Sequence, residues 1–167
     1  MEDFKSGLNI LVDFDGTVVT HDYPSIGKDI GAIPILKELV RNGHGLILFT
    51  MRSGKELDEA VEWFKKNDIP LYGIQTNPTQ HEWTTSPKAY GQLIIDDIGL
   101  GCPTKFDLNL SNRKFVDWVK VQQMLKELNL IVCPLCGNRG EYVIGGSFGG
   151  SVQIVKCNCK KNIRYEN

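Results

Sequence analysis

The stretch Leu8–Thr20, which reads L-N-I-L-V-D-F-D-G-T-V-V-T, most constrains what this chain can fold into. Its apolar run from Leu8 to Val12 ends in two carboxylates, Asp13 and Asp15. An uninterrupted apolar run predicts a strand that is buried on both faces, as in a parallel sheet covered by helices. Ligands bind at the carboxyl ends of such strands, so the sequence predicts an acidic site directly after this one. The alternative is a surface turn, because Asp-Gly is common turn chemistry.

The next part of the chain alternates between short apolar runs and amphipathic stretches. Strands are predicted at residues 8–12, 45–50, 71–75 and 92–95. Helices are predicted at residues 33–42, 56–67 and from 111 or 112 to 128. Strand–helix alternation of this kind indicates βαβ units, and hence an α/β fold of the Rossmann-like, three-layer type with a central parallel sheet.

Two details of the predicted helices concern individual side chains. Ser53 and Glu56 have the spacing of a capping box at the start of the second helix. Phe115, Val119 and Leu125 are predicted to lie along the inner face of the third helix.

The chain changes character after residue 130, where cysteine pairs and glycine clusters replace the strand–helix alternation. We therefore predict a first domain over residues 1–130 and a small β domain over 131–167, with strands at 141–144 and 151–156. Residues 1–132 carry 14 Lys and Arg against 18 Asp and Glu, whereas residues 133–167 carry 5 against 2. The net charge of −1 gives no electrostatic case for nucleic-acid or membrane binding by the whole chain. The basic tail alone suggests a polyanionic partner.

The N-terminal residues contain no apolar signal region, and no apolar run approaches the length of a membrane span. We therefore expect a cytoplasmic protein that has no membrane partner. In that compartment, closely paired cysteines indicate metal binding rather than disulfides.

Four of the five cysteines form two such pairs, Cys133 with Cys136 and Cys157 with Cys159. This spacing fits a tetrahedral site of four thiolates, and C-P-L-C-G at Cys133–Gly137 resembles the first knuckle of zinc ribbons. We predict a zinc-ribbon-like domain held by a structural Zn²⁺, since a segment this short needs a staple. Four unrelated cysteines are the alternative. Basic side chains near the site leave nucleic-acid binding, protein docking and a purely structural role open: Lys156, Lys160, Lys161 and Arg164.

Acids follow two of the predicted strands. Asp13 and Asp15 lie on the same side of an extended chain because they are two residues apart. A carboxylate that attacks phosphorus forms an acyl phosphate, and a second acid nearby can protonate the leaving oxygen and later deprotonate water. Asp96 and Asp97 follow the fourth strand and would complete an oxygen site of the kind that Mg²⁺ prefers.

Other polar residues have both a functional and an ordinary interpretation. Thr50 ends the second strand with a hydroxyl that can bind a phosphoryl oxygen, and Lys88 can supply a balancing positive charge. Each is otherwise a strand-end Thr or a solvated Lys. Arg52 either contacts phosphate or substrate, or pairs with a carboxylate on the rim. His21 and His44 have no companion at metal-ligand spacing, so we predict them to be surface or loop residues.

The order of these residues resembles that of the haloacid-dehalogenase-like superfamily of phosphohydrolases. Its four motifs are matched in turn by D-F-D-G-T at Asp13–Thr17, F-T at Phe49-Thr50, S-P-K at Ser86–Lys88 and I-I-D-D at Ile94–Asp97. M-R-S-G extends the second motif in the manner of small phosphatases of this group. The resemblance covers residues 8 to about 100.

This resemblance implies that Asp13 is the nucleophile, Asp15 the general acid/base and Lys88 a catalytic cation. The presence of Asp15 favours phosphatase over dehalogenase chemistry. The implied Mg²⁺ ligands are Asp13, the backbone carbonyl of Asp15, Asp96 and Asp97. The candidate phosphate contacts are Gly16, Thr17, Thr50, Arg52 and Lys88.

Members of this superfamily often carry a cap domain between these motifs. Only 32 residues lie between Thr17 and Thr50, and 37 between Thr50 and Lys88, so neither gap holds a cap. An open site suits a bulky protruding phosphoryl substrate, or a small one enclosed by loops or a neighbouring subunit. The loop at residues 76–87, with His81 and Trp83, either contacts the leaving group or is a surface loop with a packed Trp.

Three functions follow as hypotheses. The first is a Mg²⁺-dependent phosphatase with an aspartyl-phosphate intermediate that acts on a small phosphorylated metabolite, such as a sugar phosphate or nucleotide. The second is a phosphatase of nucleic-acid ends that uses the basic zinc ribbon. The third is a non-catalytic zinc-ribbon adaptor with a vestigial phosphatase core.

Overall fold

The apolar run that follows the N-terminal residues forms a strand, β1 (Asn9–Val12), inside a four-stranded parallel sheet. The other strands are β2 (Gly45–Leu48), β3 (Gly73–Ile74) and β4 (Leu93–Ile95). Their order is β3-β2-β1-β4, so β1 has a neighbour on each side. The computed structural model of the chain describes residues 7–133, 135–137, 141–144 and 153–157.

The two central strands are buried, as their apolar runs predict. Ile10 and Val12 of β1, like Ile47 and Leu48 of β2, are at most 1% exposed. Parallel strands buried on both faces need apolar side chains at successive positions, which explains the lack of alternation in these segments. The predicted α/β class with a central parallel sheet is therefore confirmed.

Three helices accompany the sheet: α1 (Ala32–Arg41), α2 (Gly54–Lys66) and α3 (Trp118–Glu127). Helix α2 places the rings of Trp63 and Phe64 against Phe14, with centroid distances of 5.8 and 6.0 Å. The predicted capping box at the start of α2 is wrong, because the side chain of Ser53 makes no capping hydrogen bond. Gly54 begins the helix with a left-handed φ of 52°, which alters the geometry that a capping box requires.

The third helix begins later than the sequence predicts. Phe115–Val116, which were predicted to be helical, form a strand, β6, that pairs antiparallel with β5 (Thr104–Lys105), where no strand was predicted. The helix then begins after Asp117, whose carboxylate accepts a hydrogen bond from the amide of Val119 at 3.2 Å. Strands of two residues have too little periodicity to be recognised in a sequence.

The predicted inner face of α3 is only partly correct. Phe115 is buried, but in β6, and Leu125 is buried as expected. Val119 is 61% exposed, and Trp118 and Val121 are buried in its place. The predicted apolar stripe is therefore out of phase with the observed one at the start of α3.

The chain divides into two compact units, Met1–Gln122 and Gln123–Asn167, whereas the sequence predicted a boundary after residue 130. In the second unit, β7 (Glu141–Ile144) and β8 (Gln153–Lys156) pair antiparallel, which confirms the predicted pair of strands. The predicted start of β8 at residue 151 lies outside the described residues. Within the described ranges, no helix combines the length and apolar character that crossing a membrane requires.

Trp118 connects α3 to the loop after β1, because its indole Nε1 donates a buried hydrogen bond of 2.7 Å to the carbonyl of Thr17. We expect Trp118→Phe to lower the free energy of unfolding by about 1–3 kcal/mol, since the carbonyl loses its donor inside the protein. Urea denaturation measures the change. The matched control is Trp83→Phe at a side chain that is 63% exposed, where the change should stay within about 0.5 kcal/mol. Equal stability of the two variants would contradict this role of Trp118.

Candidate functional site

The sheet order defines a crevice beside β1. From β1 the chain passes to β2 and β3 on one side, and then returns to β4 on the other side of β1. In open α/β sheets, ligands bind at the carboxyl ends of the strands where the strand order reverses in this way. The register pairs Val12 with both Leu48 and Ile95, so the residues that follow the three strands emerge together.

Three carboxylates meet at this point. Asp13, after β1, and Asp96 and Asp97, after β4, each offer an oxygen, and these oxygens lie within 4.8 Å of one another. Oxygens on opposite sides of a bound Mg²⁺ are about 4 Å apart, so the donor set and its spacing fit this cation. The structure thus brings Asp13 together with Asp96 and Asp97, although Asp13 is 83 or more positions away from both of them in the sequence.

Thr17 connects the two loops that carry these acids. Its hydroxyl donates to Asp13 Oδ2 at 3.0 Å and accepts a hydrogen bond from the amide of Asp97, also at 3.0 Å. Thr17 is fully buried, so its hydroxyl holds the two loops together inside the protein. The sequence predicted a phosphate contact for Thr17, whereas its hydroxyl is occupied by these two partners.

The pKa of Asp13 is raised from 3.8 to about 7. Burial is the main cause, and repulsion from Asp96 and Asp97 adds to it, whereas hydrogen bonds from the amide of Phe14 and the hydroxyl of Thr17 oppose it. A bound cation would relieve the repulsion and favour the ionised form. In the metal-free protein the ionised form of Asp13 is therefore destabilised, and a bound divalent cation can offset this destabilisation.

His21 is a residue of the site that sequence analysis placed in a loop without a partner. Its Nε2 lies 3.0 Å from Oδ2 of Asp97. Gly16 makes this approach possible: its φ is 83°, and a Cβ at this position would overlap the His21 ring and lie 2.8 Å from the same Asp97 oxygen. A single His in a loop gives no signal in the sequence, because its partner is 76 residues away.

Asp15 pairs with Arg52 through both of its carboxylate oxygens. Arg52 Nε donates to Oδ2 and Nη2 donates to Oδ1, each at 2.7 Å. The guanidinium also donates to the carbonyls of Pro24 at 3.0 Å and Ser25 at 2.7 Å, and its carbon lies 5.1 Å from the centre of the Phe14 ring. Of the roles that the sequence left open for Arg52, the structure shows the pairing with a rim carboxylate.

This pair is shielded from solvent on the Arg52 side, where the side chain is 1% exposed, against 18% for Asp15. The hydrogen bonds from Arg52 to Asp15 raise the pKa of the guanidinium, although burial lowers it. A bidentate pair of this kind is stronger and more directional than a single contact. Arg52 therefore fixes both the Asp15 carboxylate and the loop at residues 24–25.

Thr50 lies where β2 ends, partly exposed. Its Oγ1 accepts a hydrogen bond of 3.3 Å from the amide of Arg52, and its own amide donates to Gln75 Oε1 at 3.1 Å. Gln75, which directly follows β3, therefore supports the loop after β2, a role that no sequence pattern indicated.

Lys88 is exposed on the loop that precedes β4. The buried side chain of Gln80 organises this loop: its Nε2 donates to the carbonyls of Ser86 and Lys88 at 2.8 Å, and its Oε1 accepts from the amide of Tyr90 at 2.7 Å. Among the residues that the structure describes, no acidic side chain lies within 4.0 Å of the Lys88 ammonium. Trp83 is 63% exposed and meets the Tyr90 ring edge-on at 5.2 Å.

Three cysteines of the second unit also converge. The sulfur atoms of Cys133, Cys136 and Cys157 lie within 4.8 Å of one another, and that of Cys133 is 3.7 Å from that of Cys157. A disulfide would need about 2.05 Å. Two thiolates on one tetrahedral Zn²⁺ lie about 3.8 Å apart, given Zn–S bonds of about 2.3 Å, so the spacing fits this ion. Cys159, the fourth predicted ligand, lies outside the described residues.

The local backbone explains how two of these thiols come together. Gly137 has a φ of 55°, and its amide donates to the carbonyl of Cys133 at 2.8 Å, which closes a tight turn. Cys157 directly follows β8. The basic residues on which nucleic-acid binding was predicted lie outside the described residues, apart from the exposed Lys156: Lys160, Lys161 and Arg164.

Comparison with known proteins gives one informative relative. The chain matches no protein-family model and no curated protein. It is similar to a solved structure of a conserved protein from Bacteroides thetaiotaomicron, with 35% identity and a TM-score of 0.61 over 74% of this chain and 93% of that one. At this identity and coverage, the chain belongs to the same family as that conserved protein. The description of the relative names no activity, so a function has to be argued from the site.

The raised pKa of Asp13 predicts how the stability of the metal-free protein depends on pH. Because the folded-state pKa of about 7 exceeds the ordinary 3.8, protonated Asp13 is favoured in the fold and stability is lost as pH rises between these values. In a chelator, we expect the wild type to lose roughly 1–3 kcal/mol more than Asp13→Asn between pH 5 and pH 8. Urea denaturation of both proteins at the two pH values tests this. Parallel losses would contradict it.

The cysteine cluster predicts a bound metal. We expect the purified chain to hold about one Zn²⁺, and Cys136→Ser to lose most of it because a tetrahedral site tolerates few missing thiolates. Elemental analysis of the purified proteins gives the zinc content. Cys102→Ser, which changes a cysteine of the other unit, is the matched control and should keep the metal. Equal zinc in both variants would rule out this site.

Proposed function

We propose that the chain is a Mg²⁺-dependent phosphomonoester hydrolase of the haloacid-dehalogenase-like type, with a capless, Rossmann-like catalytic domain and a zinc-ribbon-like extension. The observation that carries the proposal is the convergence of Asp13, Asp96 and Asp97 at the carboxyl ends of β1 and β4. A cluster of three acids at the point where strand order reverses is a site for a cation and an anionic ligand.

In the proposed reaction, Asp13 is the nucleophile. Its carboxylate attacks phosphorus and forms an aspartyl phosphate, which divides one difficult hydrolysis into two easier steps. The hydrogen bond from Thr17 to Oδ2 fixes the rotation of the carboxylate before the attack. Asp15 is the group that would exchange a proton with the leaving oxygen or with water.

The cation would be held by Asp13, Asp96 and Asp97, with the backbone carbonyl of Asp15 as a further ligand. When bound, Mg²⁺ supplies positive charge that reduces the repulsion between these carboxylates and a phosphate dianion. His21 orients Asp97 from the side, which is how outer contacts of metal ligands stabilise a site.

Thr50 and Lys88 are proposed to bind the phosphoryl oxygens. Thr50 follows β2 at the edge of the sheet from which Asp13 emerges, whereas Lys88 lies on the loop before β4. Among the described residues, no acidic side chain within 4.0 Å neutralises the charge of Lys88. The substrate we propose is a small phosphorylated compound. In the second unit, Zn²⁺ on Cys133, Cys136 and Cys157 would be structural, with Cys159 as the fourth ligand.

Asp13→Asn tests the nucleophile directly. We expect kcat to fall on the order of 10³-fold or more, because an amide cannot form the acyl phosphate. Phosphate release is measured with Mg²⁺ on a panel of sugar phosphates, nucleotides and phosphorylated oligonucleotides. Asp58→Asn makes the same chemical change at an exposed position of α2 and should leave the rate unchanged. Full activity in Asp13→Asn would refute the mechanism, and no turnover by the wild type on any compound would favour the adaptor.

A further inference from the structure

Each of the three loops at the candidate site exposes a large apolar side chain. Tyr23 lies on the loop after β1, Met51 on the loop after β2 and Ile98 on the loop after β4, and their side chains are 64%, 98% and 86% exposed. Single exposed apolar residues are common on protein surfaces, whereas a group of them around one site indicates a binding surface. We call Tyr23, Met51 and Ile98 the apolar rim.

The ring of Tyr23 is exposed but supported from inside the protein. The guanidinium carbon of Arg52 lies 5.3 Å from the centre of this ring and 5.1 Å from that of the buried Phe14. Arg52 is itself buried, so this cation–π contact orients the Tyr23 ring against a fixed partner. Most of the Tyr23 side chain remains in contact with solvent, so covering Arg52 leaves a flat aromatic surface available to a ligand.

Met51 and Ile98 are joined directly to the groups of the site. Met51 precedes Arg52 in the chain, and the amide of Ile98 donates to Asp96 Oδ1 at 2.9 Å. A methionine side chain is unbranched and polarizable, so it adapts to the outline of a ligand and makes favourable contacts with aromatic rings. The rim therefore places one flat surface and two apolar side chains beside the acidic cluster.

We propose that the apolar rim selects phosphoryl compounds that carry a planar aromatic group, which stacks on Tyr23 while the phosphoryl group lies at Asp13. Such a compound has an anionic end suited to the proposed cation site and an apolar end that the rim removes from water. Nucleobases and simple aryl groups share this chemistry. Because the Tyr23 ring is already oriented, binding requires little further ordering of the protein. This inference rests on the proposed phosphatase function and narrows its substrate class.

The experiment compares substrates that have the same reacting bond. With Mg²⁺ present, kcat/KM is measured for adenosine and uridine 5′-monophosphates and for ribose 5-phosphate, all of which release a primary alcohol. We expect the nucleotides to be preferred by about tenfold, a scale that stacking of one base on one aromatic ring can supply.

Two further compounds distinguish the shape and the source of the apolar group. Benzyl phosphate carries an aromatic ring without a nucleobase, and hexyl phosphate carries a flexible apolar chain. We expect benzyl phosphate to be preferred over hexyl phosphate by about tenfold, because only the ring can stack. The comparison of benzyl phosphate with the nucleotides shows which source of the aromatic group the site accepts better.

The variant Tyr23→Ala tests the stacking surface. We expect the preference for adenosine 5′-monophosphate over ribose 5-phosphate to fall about tenfold, mainly through a higher KM for the nucleotide. Tyr23→Phe keeps the ring and should keep the preference. A role limited to covering Arg52 would lower the rates with both compounds together. Tyr72→Ala is the matched control, because this exposed tyrosine precedes β3, at the opposite end of the strands from the site.

The outcomes separate this inference from the proposed function. In the wild type, equal kcat/KM for nucleotides and ribose 5-phosphate, or for benzyl and hexyl phosphates, would overturn the inference and leave the phosphatase intact. If Tyr23→Ala does not fold, as judged by thermal denaturation, Met51→Ala replaces it. This variant should lose about threefold of the preference, and Met124→Ala, at an exposed position of α3, should keep it. Equal preferences in these two variants would overturn the inference.

A calorimetric measurement keeps the inference testable without turnover. If the wild type hydrolyses none of these compounds, the proposed function fails. Binding of adenosine 5′-monophosphate and ribose 5-phosphate is then measured with Mg²⁺ on the wild type and Tyr23→Ala. We expect the nucleotide to bind about tenfold more tightly to the wild type alone. Equal affinities of the two compounds for the wild type would overturn the inference as well.

Discussion

The parallel register of β1 between β2 and β4 is the constraint on which the rest of the site depends. Val12 lies opposite Leu48 on one side and Ile95 on the other. The ladder continues one residue beyond the strand, where the amide of Asp13 donates to the carbonyl of Ile95 at 3.0 Å. A shift of one residue would turn every side chain of the strand to the opposite face, so the register also decides where Asp13 points.

The carboxylates of Asp13, Asp96 and Asp97 repel one another, and contacts from the surrounding residues hold them in place. Three carboxylates within 4.8 Å are unfavourable without a cation, and their repulsion adds to burial, which is the main cause of the raised pKa of Asp13. The surrounding structure holds them by short contacts: Thr17 joins Asp13 to the loop after β4, and His21 lies against Asp97. Arg52 removes Asp15 from this cluster, so the fourth acid of the motif does not add to the repulsion.

The sequence predicted the parts of the fold that depend on local pattern. The buried strands, the first two helices and the convergence of Asp13 with Asp96 follow from apolar runs that end in acids, together with the rule that ligands bind at strand ends. The start of α3 and the pairing of β5 with β6 could not be predicted, because two-residue strands carry no periodicity. The resemblance to a phosphohydrolase superfamily stays a prediction, since the relative is described only as a conserved protein.

The contacts that give the site its particular chemistry were not available to sequence reasoning. Arg52 had two open roles, and only its position, buried and 37 residues from Asp15 along the chain, shows which contact it makes. No feature of the sequence indicated a role for His21, because its partner Asp97 lies 76 residues further along the chain, after β4. Contacts between residues that are distant in the chain depend on how the loops pack in the folded protein. No local sequence pattern encodes this packing.

The most direct test of the account is a crystal structure of the protein soaked with Mg²⁺ and beryllium fluoride, which mimics a phosphoryl group on a carboxylate. The account predicts beryllium bound to an oxygen of Asp13, with Mg²⁺ beside it on oxygens of Asp13, Asp96 and Asp97. Beryllium fluoride and Mg²⁺ bound elsewhere, or an Asp13 carboxylate without either, would contradict the claim that this acid receives the phosphoryl group.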